Sequence, residues 1–308
     1  MWLANLEETI GVCRQALAEE DLAAVGRLLQ SAGVTDEEVA SLVERMANRG
    51  FGVSGWNRLA GVCEQGGIEE QSWRLQRYVL LRVGVERLAR ISNLPVAEEV
   101  KQRFCGHLQF IARPDPGNPA IMNPRSQGFQ VLCAYVLQER FPAGQIDWVI
   151  SGFPRSWFLK LPLRDLPQFV YGVYVRAGGR KPYFEPHTPT RRELPILTEE
   201  DERRGMWMLA TSMALQPDVR AYLGCSWMLD PQLARVSPQL AWLARWMEEC
   251  RRFGALSTIL GPAPPNSGYL VGDRRRRALY ESGQWKPMNG LLFWPRKDLL
   301  RWLKEQGG

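Results

Sequence analysis

A change of texture near residue 105 limits what this chain can fold into. Before it, apolar residues recur at helical spacing in one stretch after another. After it, short strand-like runs alternate with helices. Residues 1–105 therefore read as a wholly helical N-terminal domain and residues 106–308 as a mixed α/β sandwich with an antiparallel first half. In the second part the order is helix, three strands, then helix and strand in turn, with a closing helix. The fold class this predicts is α/β in the α+β sense, a helical domain followed by a mixed sheet flanked by helices.

Local signals set the expected boundaries. LEETIGVCRQAL starts one helix, DLAAVGRLLQSAG forms another that ends at Gly33, and VASLVERMANRG closes at Gly50. Thr35-Asp-Glu-Glu38 is a capping box, in which the threonine oxygen and the glutamate satisfy free N–H groups at a helix start. GFGVSGW reads as a turn. Gln71–Ile91 reads as a helix whose arginines 74, 77, 82, 87 and 90 form a solvated face or dock an acidic partner. RPDPGNPAIMNPRS is a loop and GFQVLCAYVLQERF a buried helix. IDWVISGF, QFVYGVYV and KPYFEPH are expected strands, the last two joined by a hairpin turn at Arg176-Ala-Gly-Gly-Arg180. Thr198 opens a helix through MWMLATSMAL, and AYLGCSWML, ALSTIL and GLLFW are strands. SPQLAWLARWMEECRRFG is the clearest helix, with Ser237 as cap, Pro238 in the first turn, Leu240, Leu243, Met247 and Cys250 striping one face, and Gly254 at the end. Asp273 caps a short helix that ends at Gly283, and KDLLRWLKEQ closes the chain as a helix.

Composition narrows the function classes. The chain is 45% hydrophobic and 23% charged, as soluble globular proteins are. No apolar run approaches the roughly 18 residues of a membrane span, and the N-terminus lacks a basic-then-apolar signal region. A cytoplasmic location is expected. The six cysteines form no CxxC pair and there are two histidines, His107 and His187, so neither a metal site nor a disulfide framework is expected. The net charge of +6 suits an anionic partner such as phosphate, CoA, an acidic carrier protein or nucleic acid. Nucleic acid ranks last, because the basic residues are not interleaved with aromatics on a recognisable motif. The twelve tryptophans fill a core or line a wide apolar cavity.

Four segments carry a more specific resemblance: His187-Thr188-Pro189, then Ser226-Trp227-Met228-Leu229-Asp230-Pro231-Gln232-Leu233, then Arg276-Arg277-Ala278-Leu279 and Gly290-Leu291-Leu292-Phe293. Over roughly residues 160–300 the chain resembles a bacterial acyltransferase family with a helical N-terminal domain and a GNAT-like C-terminal domain. The resemblance implies a sheet in which two neighbouring strands part after His187 and before Ser226, leaving a slot for a thioester. It implies no tightly bound cofactor, with acyl-CoA or a phosphopantetheine thioester as co-substrate, a small-molecule acceptor and an acyl carrier protein as a candidate partner. The family places small residues and glycines after the His-x-Pro, where donor pyrophosphate sits on backbone N–H groups. This chain has Thr190-Arg191-Arg192-Glu193-Leu194-Pro195 instead. Arg191 and Arg192 then supply side-chain donors, or belong to a variant that binds a carrier protein or has no transfer activity.

Each candidate has a structural and a functional reading. Asp230 reads as a helix cap before Pro231. Ser226 bonds nearby backbone or donates a proton to the leaving thiolate. Cys225 is a nucleophile only if its pKa is depressed beside a partner such as His187. His187 and Glu185 end a strand that flanks the acceptor site in the resembled fold, and either takes the acceptor's proton; a histidine bonded to backbone is the plainer reading. Tyr183 and Tyr222 are further acid candidates, and His107 serves structure. Trp227, Arg274 and Arg275 join Arg191 and Arg192 as candidate donor-binding residues. Four cations in the first turn at Arg274–Arg277 oppose the helix dipole and favour an anion there, or form a solvated patch. The alternative to an acyltransferase is a non-catalytic GNAT-like interaction protein that binds an acidic or phosphopantetheine-bearing partner.

Overall fold

The computed structural model describes residues 2–48, 53–68, 73–113, 123–187, 197–264 and 273–307. The chain forms two compact units, residues 1–94 with 98–142, and residues 95–97 with 143–308. The division thus falls between Pro142 and Ala143, beyond the change of sequence texture, because the helix at Gln127–Val136 packs with the preceding helices.

In the first unit the helices are α1 (Trp2–Ala18), α2 (Glu20–Ser31), α3 (Asp36–Ala47), α4 (Val53–Gln65), α5 (Trp73–Leu88), α6 (Glu98–Ala112) and α7 (Gln127–Val136). α5 packs against α1, α2, α3, α6 and α7. It is buried nearly all round, from Leu75 and Leu80 to Val83 and Leu88, as a central helix must be. The capping box is formed: Thr35 Oγ1 accepts from Glu38 N at 3.2 Å and the Glu38 carboxylate accepts from Thr35 N at 3.0 Å. The turn expected at GFGVSGW is helical from Val53 onward; Phe51 and Gly52 lie outside the described residues.

The solvated arginine face expected on α5 is corrected at one position. Arg77 is 1% exposed. Its guanidinium donates to Glu19 at 2.9 Å, to Ile111 O at 3.1 Å and to Ala112 O. It thereby satisfies carbonyls that the last turn of α6 leaves without helical partners. Arg74, Arg82 and Arg87 pair with Asp21, Asp36 and Glu44.

The helix expected over GFQVLCAYVLQERF stops at Val136. Gln138 takes φ +61°, and Glu139 N bonds back to Ala134 O at 3.0 Å. That left-handed closure turns the chain into a strand, β1 (Arg140–Ala143).

The sheet of the second unit has the order β1-β2-β3-β4-β6-β5, the chain passing from one unit to the other in β1. Its strands are β2 (Ile146–Ser151), β3 (Tyr183–His187), β4 (Ala221–Ser226), β5 (Leu256–Pro262) and β6 (Met288–Pro295). β3 and β4 are parallel; β2–β3, β4–β6 and β5–β6 are antiparallel. The expected α+β class, a mixed sheet with helices, is observed. The helices are α8 (Arg155–Phe158), α9 (Leu166–Tyr171), α10 (Glu199–Ala214), α11 (Leu233–Val236), α12 (Trp242–Arg252), α13 (Arg274–Glu281) and α14 (Arg296–Glu305).

One sheet face buries Tyr183, Leu223, Leu291 and Phe293 against Phe153, Phe169 and Val173. On the opposite side, Trp294 meets Trp246 of α12 and Trp302 of α14, with ring centroids 5.6–6.3 Å apart. These three tryptophans follow the core-filling reading.

The strand expected at QFVYGVYV is a helix: α9 runs on into a π-helical turn over Gly172–Arg176. Its aromatic and β-branched residues favour a strand, yet Phe169 and Val173, four apart, are the buried pair. A strand would have turned Phe169, Tyr171, Val173 and Val175 to one side. Gly172 lies so close to β5 that an added Cβ would come within 2.6 Å of Leu256 Cδ1. Arg176–Arg180 consequently links a helix to β3 and is no hairpin. Ser237 makes no cap bond, and α12 starts at Trp242 after a separate turn over Pro238–Leu240. The stripe Leu240, Leu243, Met247 and Cys250 is buried nonetheless.

Candidate functional site

The sheet has an interruption at its centre. β3 pairs with β2 along its whole length, Tyr183 to His187, and β4 with β6 from Ala221 to Ser226. Between β3 and β4 the ladder holds two pairs, Tyr183 with Ala221 and Phe184 with Tyr222. Beyond them Glu185–His187 and Leu223–Ser226 face each other without ladder pairing. Pro186 has no N–H to give. Backbone groups on parted edges can bond an extended ligand laid between them.

Strand alternation sorts the candidates by face. Glu185, His187 and Cys225 share the face of Tyr183 and Leu223, whereas Ser226 points to the other. Cys225 is half-buried against the aromatic cluster of that face. Burial pushes its thiol up to about 11, the Glu185 carboxylate raising it further and the Lys160 ammonium lowering it. The depressed pKa that a nucleophilic cysteine needs is absent here. The register sets His187 directly opposite Asp147 of β2, and Asp147 is fully buried. Cβ atoms of residues so paired lie about 4.5–5.5 Å apart, within reach for a carboxylate to orient an imidazole.

Tyr183 and Tyr222 are held far from an acid's working range. Burial raises both phenols, with Glu202 adding to the effect at Tyr222. Tyr183 donates to Gly179 O. His107 stacks on Tyr135 at 4.3 Å, in keeping with its structural reading.

At the end of β4, Ser226 Oγ accepts from Met228 N at 3.1 Å and starts a short turn. Trp227 lies edge-on to Trp285 at 6.4 Å, beneath the Arg276 guanidinium at 5.0 Å. Asp230 is buried and caps the turn rather than the first residue of α11, Oδ1 accepting from Gln232 N at 2.8 Å. Its Oδ2 accepts from Trp285 Nε1 at 3.1 Å and Met288 N at 3.0 Å. Asp273 caps α13 as expected, accepting from Arg276 N at 2.9 Å. Arg274 and Arg275 lie on the exposed side of α13, Arg275 donating to Arg235 O at 3.1 Å. The arginine that reaches the end of β4 is Arg276, which burial pulls below its usual value. Arg191 and Arg192, with Thr188 and Pro189, lie outside the described residues.

Solved structures show a distant likeness to this chain. One is an acyltransferase in complex with decanoyl-CoA and teicoplanin, at 16% identity and a TM-score of 0.45, covering 75% of this chain and 68% of that one. Another is an acyltransferase in complex with CoA and 10C-teicoplanin, at 15% identity and a TM-score of 0.40, covering 74% and 68%. Overlap of this degree says nothing of this chain's chemistry. No family model matches the chain, and no curated protein does.

Sequence reasoning missed Asp147, Lys160 and Trp285. Asp147 carried a signal, a lone acid inside the apolar strand Ile146–Ser151. Lys160 and Trp285 carried none, since tertiary packing alone brings them to Cys225 and Asp230. Among the described residues no group of His, Cys, Asp and Glu side chains could hold a metal ion, and no helix is long and apolar enough to cross a membrane.

Proposed function

We propose that this chain is a GNAT-like acyltransferase that moves an acyl group from a thioester, on CoA or on the phosphopantetheine of an acyl carrier protein, to an amine or hydroxyl of a small-molecule acceptor. The parted edges of β3 and β4 carry the proposal: after two pairs the ladder stops, and His187, Glu185, Cys225 and Ser226 all stand on the unpaired stretches.

The donor's pantetheine arm lies between the strands, and an edge N–H of β4 polarises the thioester carbonyl. The acceptor nitrogen or oxygen attacks the carbonyl carbon directly. His187, oriented by Asp147, takes the acceptor's proton, with Glu185 as the alternative base. The C–S bond breaks, and the leaving thiolate accepts a hydrogen bond from the Ser226 hydroxyl, whose oxygen accepts from Met228 N; the proton that neutralises the thiolate comes from water, and His187 returns the acceptor's proton to water. Cys225 forms no acyl intermediate, because a thiol held at about 11 is almost wholly protonated at neutral pH. Arg274 and Arg275 meet the donor's phosphates, and Arg276 steadies Trp227 beside them; Arg191 and Arg192 are offered for the same role on the sequence alone.

The test is incubation of the full chain with a panel of acyl-CoAs and acyl carrier proteins, together with the mass of any ligand that co-purifies. Thioester loss dependent on His187 supports the proposal; the absence of both acyl loss and binding overturns it. The second reading, a binding protein without transfer, is favoured by exposed arginines on α13 and predicts a thioester bound but never turned over.

A further inference from the structure

Among the described residues ten large apolar side chains are exposed, and seven of them fall between Ile150 and Val175. Such concentration is unlike the scattered exposure of ordinary surfaces. The segment is the one that covers a sheet face: Phe153, Phe169 and Val173 anchor it inward. Outward it presents Leu159, 90% exposed, and Leu163, 86% exposed, with Tyr171, Tyr174 and Val175. Phe158 stacks on Tyr174 at 5.9 Å, which joins the end of α8 to the π-helical turn.

Basic residues outnumber acids along this segment: from Gly152 to Phe184 there are six and one, Asp165. Asp165 accepts from Thr258 at 2.6 Å and pairs with Arg164 at 3.7 Å, and Arg176 pairs with Asp298. Arg155, Lys160 and Arg164 are exposed and sit beside the projecting leucines.

We infer that this surface docks on anionic lipid membranes. The two leucines are the most exposed large apolar side chains among the described residues, and projecting side chains would need a pocket to fill on a protein partner. Protruding apolar side chains with tyrosines at their margin and flanking Lys and Arg match the boundary between acyl chains and anionic headgroups. Neither half suffices alone: the leucines give insertion, and the cations select for negative headgroups. The inference goes beyond the acyl-transfer reading and does not rest on it.

The experiment is flotation of the full chain with vesicles of phosphatidylcholine alone or mixed with phosphatidylglycerol. Binding is expected to the anionic vesicles only, and to weaken as salt rises. Leu159→Ser with Leu163→Ser, and separately Lys160→Glu with Arg164→Glu, are each expected to lower the partition coefficient at least tenfold. All four side chains are exposed, so unchanged thermal melting shows the variants to be folded. Arg274→Ala with Arg275→Ala is expected to retain most of the binding. Four results overturn the inference: no binding to anionic vesicles at low salt, binding unaffected by the leucine substitutions, a dimer that those substitutions dissociate, or capture of an acidic carrier protein in place of vesicles.

Discussion

Asp230 Oδ2 accepts from the indole N–H of Trp285 at 3.1 Å, across 55 residues of chain. Met288 N donates to the same oxygen and Gln232 N to its neighbour. One buried carboxylate thereby ties the end of β4 to the start of β6. Asp230→Ala leaves buried donors without an acceptor, each costing about 1–3 kcal/mol. A loss of roughly 3 kcal/mol is expected in urea denaturation. Asp230→Asn, which keeps one carbonyl oxygen, is expected to lose less.

Gly290 fixes the other side of that junction. A Cβ there would come within 2.4 Å of Leu229 Cβ and 2.8 Å of Leu229 O. Neither the carbonyl nor the Cβ is the far end of a flexible chain. Gly290→Ala is expected to cost about 1–3 kcal/mol, the usual penalty for overpacking, read as a lower urea midpoint at unchanged slope. Gly11→Ala, where an added Cβ meets nothing within 4 Å, is the control and is expected to be neutral or stabilising.

Glu202 makes stability depend on pH. Burial between α10 and the sheet pushes its carboxyl up to about 7 from an ordinary 4.5. A raised carboxyl binds its proton more tightly folded than unfolded. Its contribution is full below pH 4.5, shrinks as pH rises between the two values, and is gone above about 7. Glu202→Gln is expected to flatten the thermal-melting profile over that range and to stabilise the protein at pH 8 by at most roughly 3 kcal/mol.

Cys225 is expected to resist iodoacetamide at pH 7, with alkylation accelerating as pH approaches about 11. Since Glu185 raises the thiol and Lys160 lowers it, Glu185→Gln should speed labelling at a given pH and Lys160→Gln should slow it. Mass spectrometry of the labelled peptide reads both. Cys225→Ala is expected to leave thioester turnover within about twofold, whereas a covalent acyl-cysteine would make it inactive.

His187→Ala is expected to lower kcat by about a hundredfold or more, the usual worth of a general base. Asp147→Asn keeps the shape but not the charge, and is expected to lower kcat at unchanged KM, as loss of an orienting carboxylate does. Steady-state release of free thiol measures both. An unchanged kcat in Asp147→Asn would leave Asp147 a purely structural role.

Local chemistry was legible in the sequence. The capping box at Thr35–Glu38, the Asp273 cap, the stripe on α12 and the strand at Ala221–Ser226 all depend on neighbours within a few residues. The errors fell where nonlocal packing overrode local preference. QFVYGVYV has strand-forming residues, but Phe169 and Val173 fit one side of a helix laid on Phe293 and Leu256. Arg77 looked solvated until the end of α6 supplied carbonyls to it.

The sequence by itself determined the alternation of helices and strands, the excess of positive charge and the short turns and caps, because each follows from residues close together in the chain. The resemblance implied parted strands, but tertiary structure alone decided that β3 and β4 part already after Phe184 and Tyr222 rather than after His187, that Asp147 stands opposite His187, and that Asp230 holds Trp285. Those relationships join segments dozens of residues apart, and strand register and side-chain packing, which set them, minimise the free energy of the assembled sheet rather than of any one segment.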